Sequence, residues 1–157
     1  MGKIRSTDEP VGKMAKLMAE LYSFMATEMI ERLGDETGKA AIRNAVTKFG
    51  EARAKIMIEE AHERGLEINS ETYALVRDMP SISWEKDPKN LCDITYCPMH
   101  DMWEQLDLLE LGALYCEIDD VLYKSFNVEY ERPLCKTHGD HCCRFIVKSN
   151  REKGSGY

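Results

Sequence analysis

Met79-Pro80-Ser81-Ile82-Ser83-Trp84-Glu85-Lys86-Asp87-Pro88-Lys89-Asn90-Leu91-Cys92-Asp93-Ile94-Thr95-Tyr96-Cys97 is the stretch where the chain changes its periodicity. Before it, apolar residues recur at three- and four-residue steps. Within it, Ile82–Glu85 and Leu91–Cys97 look like two strands folded around Lys86-Asp87-Pro88-Lys89-Asn90. Helix before and strand after make this an α+β chain rather than a helical bundle.

Upstream, Met14, Leu17, Met18, Leu21, Met25, Met29 and Leu33 form one helical stripe, opened by Asp8-Glu9-Pro10 and stopped by Gly34. A second helix is expected from Asp35 to Glu63, with Ala41, Ile42, Ala45, Val46, Phe49, Ala52, Ile56 and Ala61 as its buried stripe. The short link makes the two an antiparallel hairpin. A short helical stretch follows near Glu71–Arg77. Downstream, Pro98 starts a helix carrying Met102, Trp103 and Leu106, and a further helix spans Glu110–Phe126. Strands Val128–Cys135 and His141–Lys148 close the chain around Lys136-Thr137-His138-Gly139-Asp140. The expected architecture is an N-terminal helical hairpin followed by a small antiparallel sheet in ββααββ order with helices on one face. It divides into a helical region 1–80, an α+β ligand or catalytic region 81–148 and a loose polar tail 149–157, together one compact domain.

The 157 residues carry 21 Lys and Arg against 28 Asp and Glu, a formal charge of -7. That balance argues against a nucleic-acid backbone as partner and for a small molecule. No apolar run is long enough to span a membrane, and the first residues lack the apolar core of an export signal, so a cytoplasmic protein is expected. The Met-rich first helix suggests a homodimer through the N-terminal helices.

Six cysteines, Cys92, Cys97, Cys116, Cys135, Cys142 and Cys143, all fall in the second half. In a reducing compartment they read as free thiols, metal ligands or nucleophiles rather than bridges. Cys97 precedes a helix start, where amides and the positive dipole end favour thiolate. Cys116 shares a helix face with Asp120 and nearly with Asp119, a thiol beside a carboxylate. Cys135, His138, His141 and Cys142 invite a closed zinc site, but their spacing is irregular for one. His100, His138 and His141 are the candidate bases for a thiol. The blander alternative is that every cysteine is a packing residue.

Cys97-Pro98-Met99-His100-Asp101-Met102-Trp103-Glu104-Gln105-Leu106, Glu110-Leu111-Gly112-Ala113-Leu114-Tyr115-Cys116-Glu117-Ile118-Asp119-Asp120 and Gly139-Asp140-His141-Cys142-Cys143-Arg144-Phe145 resemble the L-2-amino-thiazoline-4-carboxylic acid hydrolase family. Phe49-Gly50-Glu51-Ala52-Arg53 resembles a stretch of the same proteins. The closing Gly-Asp-x-Cys-Cys-x-Phe also resembles vinyl-reductase-type small-molecule-binding domains. The resemblance implies hydrolysis of a cyclic amidine, a thiazoline-type C–N or C–S bond, by Cys116 or Cys97 with Asp119 or Asp120 handling the proton. Arg53, Tyr115 and His100 would bind substrate, Arg53 through its carboxylate. Alternatively Cys97, Cys116, Cys143 and His141 would hold zinc or iron that activates water. The rival is a non-enzymatic domain holding a small ligand, metal or cofactor in the same pocket.

Overall fold

Glu9 opens the first helix. Its carboxylate accepts from the amides of Val11 (2.9 Å) and Gly12 (3.0 Å), and Pro10 occupies the first turn, where no amide is needed. The computed structural model describes residues 9–148; Asp8 and the expected tail from Ser149 lie outside them. Helix α1 runs Pro10–Leu33 and α2 Asp35–Glu63, the chain turning at Gly34. Together they form the expected hairpin.

The faces that pack are not the expected ones. In α1 the buried residues are Gly12, Ala15, Lys16, Ala19, Ser23 and Ala26, while Met14, Leu17, Leu21, Phe24 and Met25 stay exposed. Small side chains let α1 lie close against α2 and the later helix α4 (Pro98–Gln105). The bulky stripe is thereby turned outward. In α2 the buried line is Gly38, Ile42, Val46, Gly50, Ala54, Met57 and Ala61. Ile42, Val46 and Ala61 are where the stripe placed them; Ala45, Phe49, Ala52 and Ile56 are exposed. In α1 the close-packing small residues outcompete large apolar ones for the interior, while α2 buries a mixed line of small residues with Ile42, Val46 and Met57.

Helix α3 (Ser70–Val76) is capped by Asn69, whose Oδ1 accepts from the Thr72 amide at 2.9 Å. Strand β1 is shorter than expected, Glu85–Asp87, because Ser81–Trp84 forms a turn closed by the Trp84 amide on the Ser81 carbonyl. It pairs with β2 (Asn90–Tyr96). After α4 come α5 (Leu109–Cys116), α6 (Ile118–Ser125), β3 (Glu129–Leu134), a single 3-10 turn over Lys136–His138, and β4 (Cys143–Lys148). The four strands form an antiparallel sheet in the order β1-β2-β4-β3. Asp93 on β2 and Arg144 on β4 lock two neighbours with a two-pronged ion pair, both contacts 2.6 Å. The α+β architecture is therefore as expected, with its helical hairpin preceding the sheet.

The single helix expected over Glu110–Phe126 is instead two. In an unbroken helix the Asp120 amide would reach the Cys116 carbonyl; it bonds Glu117 at 3.1 Å. The freed carbonyl accepts from Arg132 Nη1 at 3.2 Å. A guanidinium from β3 thus takes a carbonyl out of the ladder and splits the helix beside Cys116 and Asp119.

The core joins both regions. Trp103, Phe126, Ile42, Met57 and Met102 are almost fully buried. The Trp103 indole donates to the Ala19 carbonyl (3.3 Å) and the Tyr22 hydroxyl to the Leu111 carbonyl (2.6 Å), tying α1 to α4 and α5.

Candidate functional site

Register assembles the sulfurs. Leu134 on β3 faces Arg144 on β4, so one residue on, Cys135 comes opposite Cys143. The connecting turn holds them there. The Cys135 carbonyl accepts from the His138 amide (2.9 Å), the Cys135 amide donates to Asp140 Oδ2 (2.8 Å), and the Lys136 amide donates to Cys143 Sγ (3.3 Å). Gly139, at φ 97°, supplies the left-handed step the turn requires. Cys116, at the end of α5, brings a third thiol. The Cys116 and Cys143 sulfurs lie near enough to Cys135 to bias its ionisation.

In such a trio one sulfur ionises at the others' expense. The Cys116 and Cys143 thiols pull the Cys135 pKa far below a free thiol's, burial opposes them, and Thr137 Oγ1 at 3.1 Å and Arg132 assist. Cys116 is pushed well up, first by its bond to Cys135 and then by burial and Asp119. Cys143 moves the same way for the first two reasons. The direction is toward ionisation at Cys135 and toward the neutral thiol at Cys116 and Cys143.

Cys97 lies close enough to act electrostatically on Cys116 and Cys143. It is the residue before α4, as expected. Burial raises its pKa and outweighs the amides of His100 and Met99 and the Trp84 indole, which lower it. A helix start alone does not offset the desolvation of a half-buried thiol.

Asp119, at the start of α6, faces this group. Burial lifts its pKa to about 6 despite Arg132, whose Nη1 lies 2.9 Å from Oδ2, and Arg53. Its side chain still keeps 29% of its surface accessible, so it is recessed rather than sealed. Asp120 points elsewhere: it is exposed and pairs with the Tyr130 hydroxyl. Tyr115, Tyr73 and Tyr123 surround the acid, each with its pKa raised mainly by burial and further by the Asp119 charge or a neighbouring phenol. Tyr115 is 8% exposed and packs edge-on against Tyr22 and tilted against Trp103. Among the described residues no sealed side-chain nitrogen or oxygen lacks a hydrogen bond.

The remaining expected residues are distributed as follows. Arg53 grips Asp78 with both prongs (2.8 and 2.5 Å) and packs on Phe49. His100 is buried behind Cys97, with burial lowering its pKa. Cys142 and Cys143 do project to opposite sides: Cys142 is buried near Asp93, with the exposed His141 ring 3.6 Å from its sulfur. His141 therefore does not stand with Cys97, Cys116 and Cys143, and His138 is exposed away from Cys135. No group of three or more His, Cys, Asp or Glu among the described residues is arranged to hold a metal ion. The zinc or iron site expected on Cys97, Cys116, Cys143 and His141 thus finds no such cluster, because His141 lies in the bend before β4 with its ring against Cys142. All six cysteines are free.

Arg132 and Thr137 also line a cleft of about 740 Å³ that runs from the Cys135 turn to Lys39 and Arg43 on α2. Glu110, Glu117 and Asp120 share its walls, and Glu110 and Glu117 are ion-paired to Lys39 and Arg43. Sequence reasoning set Cys135 behind the other thiols and passed over Arg132 and Thr137. The pointer available was the hairpin itself, since folding β3 on β4 about Thr137–Asp140 brings Cys135 to Cys143.

An α+β scaffold thus gathers three cysteines and a recessed acid beside a cleft. The family model for L-2-amino-thiazoline-4-carboxylic acid hydrolase matches residues 14–147. The chain belongs to that family. No curated protein and no solved structure matches it.

Proposed function

We propose that the protein is a cytoplasmic hydrolase that opens a cyclic amidine of the thiazoline type with Cys135 as nucleophile. The observation that carries this reading is the gathering of the Cys116, Cys135 and Cys143 sulfurs beside Asp119 and Arg132. A thiolate is the reactive form of cysteine, and the neighbouring Cys116 and Cys143 thiols favour it at Cys135. Cys135 adds to the electrophilic carbon between ring nitrogen and ring sulfur. Asp119, protonated below about 6, gives its proton to the ring heteroatom that leaves as the carbon–heteroatom bond breaks. Water then displaces the enzyme sulfur and returns a proton to Asp119. The net reaction consumes one water and gives a carbamoyl-cysteine. Arg132 and Thr137, shared between the thiolate and the cleft, are placed to orient an anionic substrate.

The test is limited iodoacetamide labelling near neutral pH with peptide mapping, alongside turnover of 2-amino-thiazoline-4-carboxylate. Selective labelling at Cys135, and loss of turnover in Cys135→Ser with the fold intact, would support the proposal. Uniformly slow thiols and no turnover would favour a binding domain instead.

A further inference from the structure

Large apolar side chains that a helix turns to water need a partner or a reason. On α1, Met14 (65% exposed), Leu17 (46%), Leu21 (62%), Phe24 (64%) and Met25 (55%) form a continuous seam with the three-and-four spacing that helix pairs use. Beside its first half lies an apolar groove of about 580 Å³, lined by Val11, Met14, Met18, Leu21, Met79 and Pro80 among others. The bulk therefore stands at one end of the seam and the hollow at the other.

We propose that two copies of this chain associate through α1, packed antiparallel about a two-fold axis at Leu21, each copy's Phe24 seated over the other's groove. With Leu21 opposite Leu21, Phe24 lies across from Met18, a groove residue, and Leu17 across from Met25. A self-complementary patch of this kind is what a two-fold interface demands. Charge favours the same direction. Lys13 stands near the start of α1, and Glu28, Glu31 and Arg32 near its end, Arg32 already paired with Glu28. Parallel helices would oppose each glutamate to its own copy, whereas antiparallel ones bring Lys13 toward Glu31 and the Glu28–Arg32 pair. A lipid surface is the poorer occupant, because Glu20, Glu28 and Glu31 border a seam that anionic headgroups would repel. The five side chains offer on the order of 500 Å² per copy, near the lower bound for a specific dimer, so a dissociation constant of roughly micromolar order is expected.

Sedimentation of the full chain from about 1 to 100 µM should show a reversible monomer–dimer equilibrium. Leu21→Glu and Phe24→Glu should each leave it monomeric over that range. Because both residues are exposed, the far-UV spectrum and Cys135 labelling should be unchanged. Under mild oxidation, Leu21→Cys should give a dimer linked position 21 to position 21, identified by peptide mapping, while Met14→Cys should give no such self-link. A wild-type monomer at the highest concentration, a dimer indifferent to both glutamates, or binding to anionic lipid vesicles in place of self-association would overturn the proposal.

Discussion

Asp119 is where burial and charge compete most directly. A carboxyl whose folded pKa is about 6, against an ordinary 3.8, binds its proton more tightly in the folded chain. Stability is then highest below the ordinary pKa and falls as pH rises through the interval to about 6. The two-unit gap corresponds to at most roughly 3 kcal/mol, so urea unfolding should show a downward slope between pH 4 and 6.5 that Asp119→Asn abolishes. If Asp119 is the proton donor, the same substitution should lower kcat about 10²–10⁴-fold and remove a limb near pH 6 from the rate profile. Cys135 offers a parallel measurement. Cys143→Ala deletes one of the thiols that favour its ionisation, so the pH midpoint for its alkylation should move upward, while Cys92→Ala should leave it in place. The thiols of Cys97, Cys116 and Cys143 could be singled out from the sequence because each sits in a recognisable local pattern. Cys135 was legible as a member of the Cys/His run but not as the thiol with the lowered pKa, since that shift depends on two sulfurs that strand register and the end of a distant helix bring to it.

At the level of elements, helix–helix approach is governed by small residues. A Cβ on Gly112 would lie 2.4 Å from Trp103 Cε3 and 2.6 Å from Cδ2, and the indole is pinned by its bond to Ala19. Gly112→Ala should therefore destabilise by about 1–3 kcal/mol or more, read as a lower urea midpoint with unchanged slope. The helical hairpin, its Gly34 turn and the two hairpins of the sheet were legible because caps, glycines and apolar spacing are local. The buried face of α1 was not, and that of α2 only in part, at Ile42, Val46 and Ala61. Periodicity identifies an apolar stripe but does not reveal that a second stripe of Gly, Ala and Ser packs closer. The break after Cys116 was also invisible, because its cause is a side chain sixteen residues further on.

For the molecule as a whole, the division at residue 80 separates sequence patterns rather than independent bodies. Trp103 and Tyr22 bind α1 to the second region, and one buried cluster holds residues from both. Thermal unfolding followed by tryptophan fluorescence and by far-UV circular dichroism should give coincident transitions, and two separated transitions would contradict this. The site draws on α5, α6, β3, the turn and β4, so its chemistry is available only when all of them are docked.

Arg132 Nη1 is shared between the Cys116 carbonyl and the Asp119 carboxylate. An incoming carboxylated molecule that drew this guanidinium toward itself would release both at once. The peptide group could rejoin its helix, and the aspartate, stripped of its counter-charge, would hold hydrogen more firmly. Occupancy would thereby load the acid at the moment it is needed, with no moving part larger than one side chain.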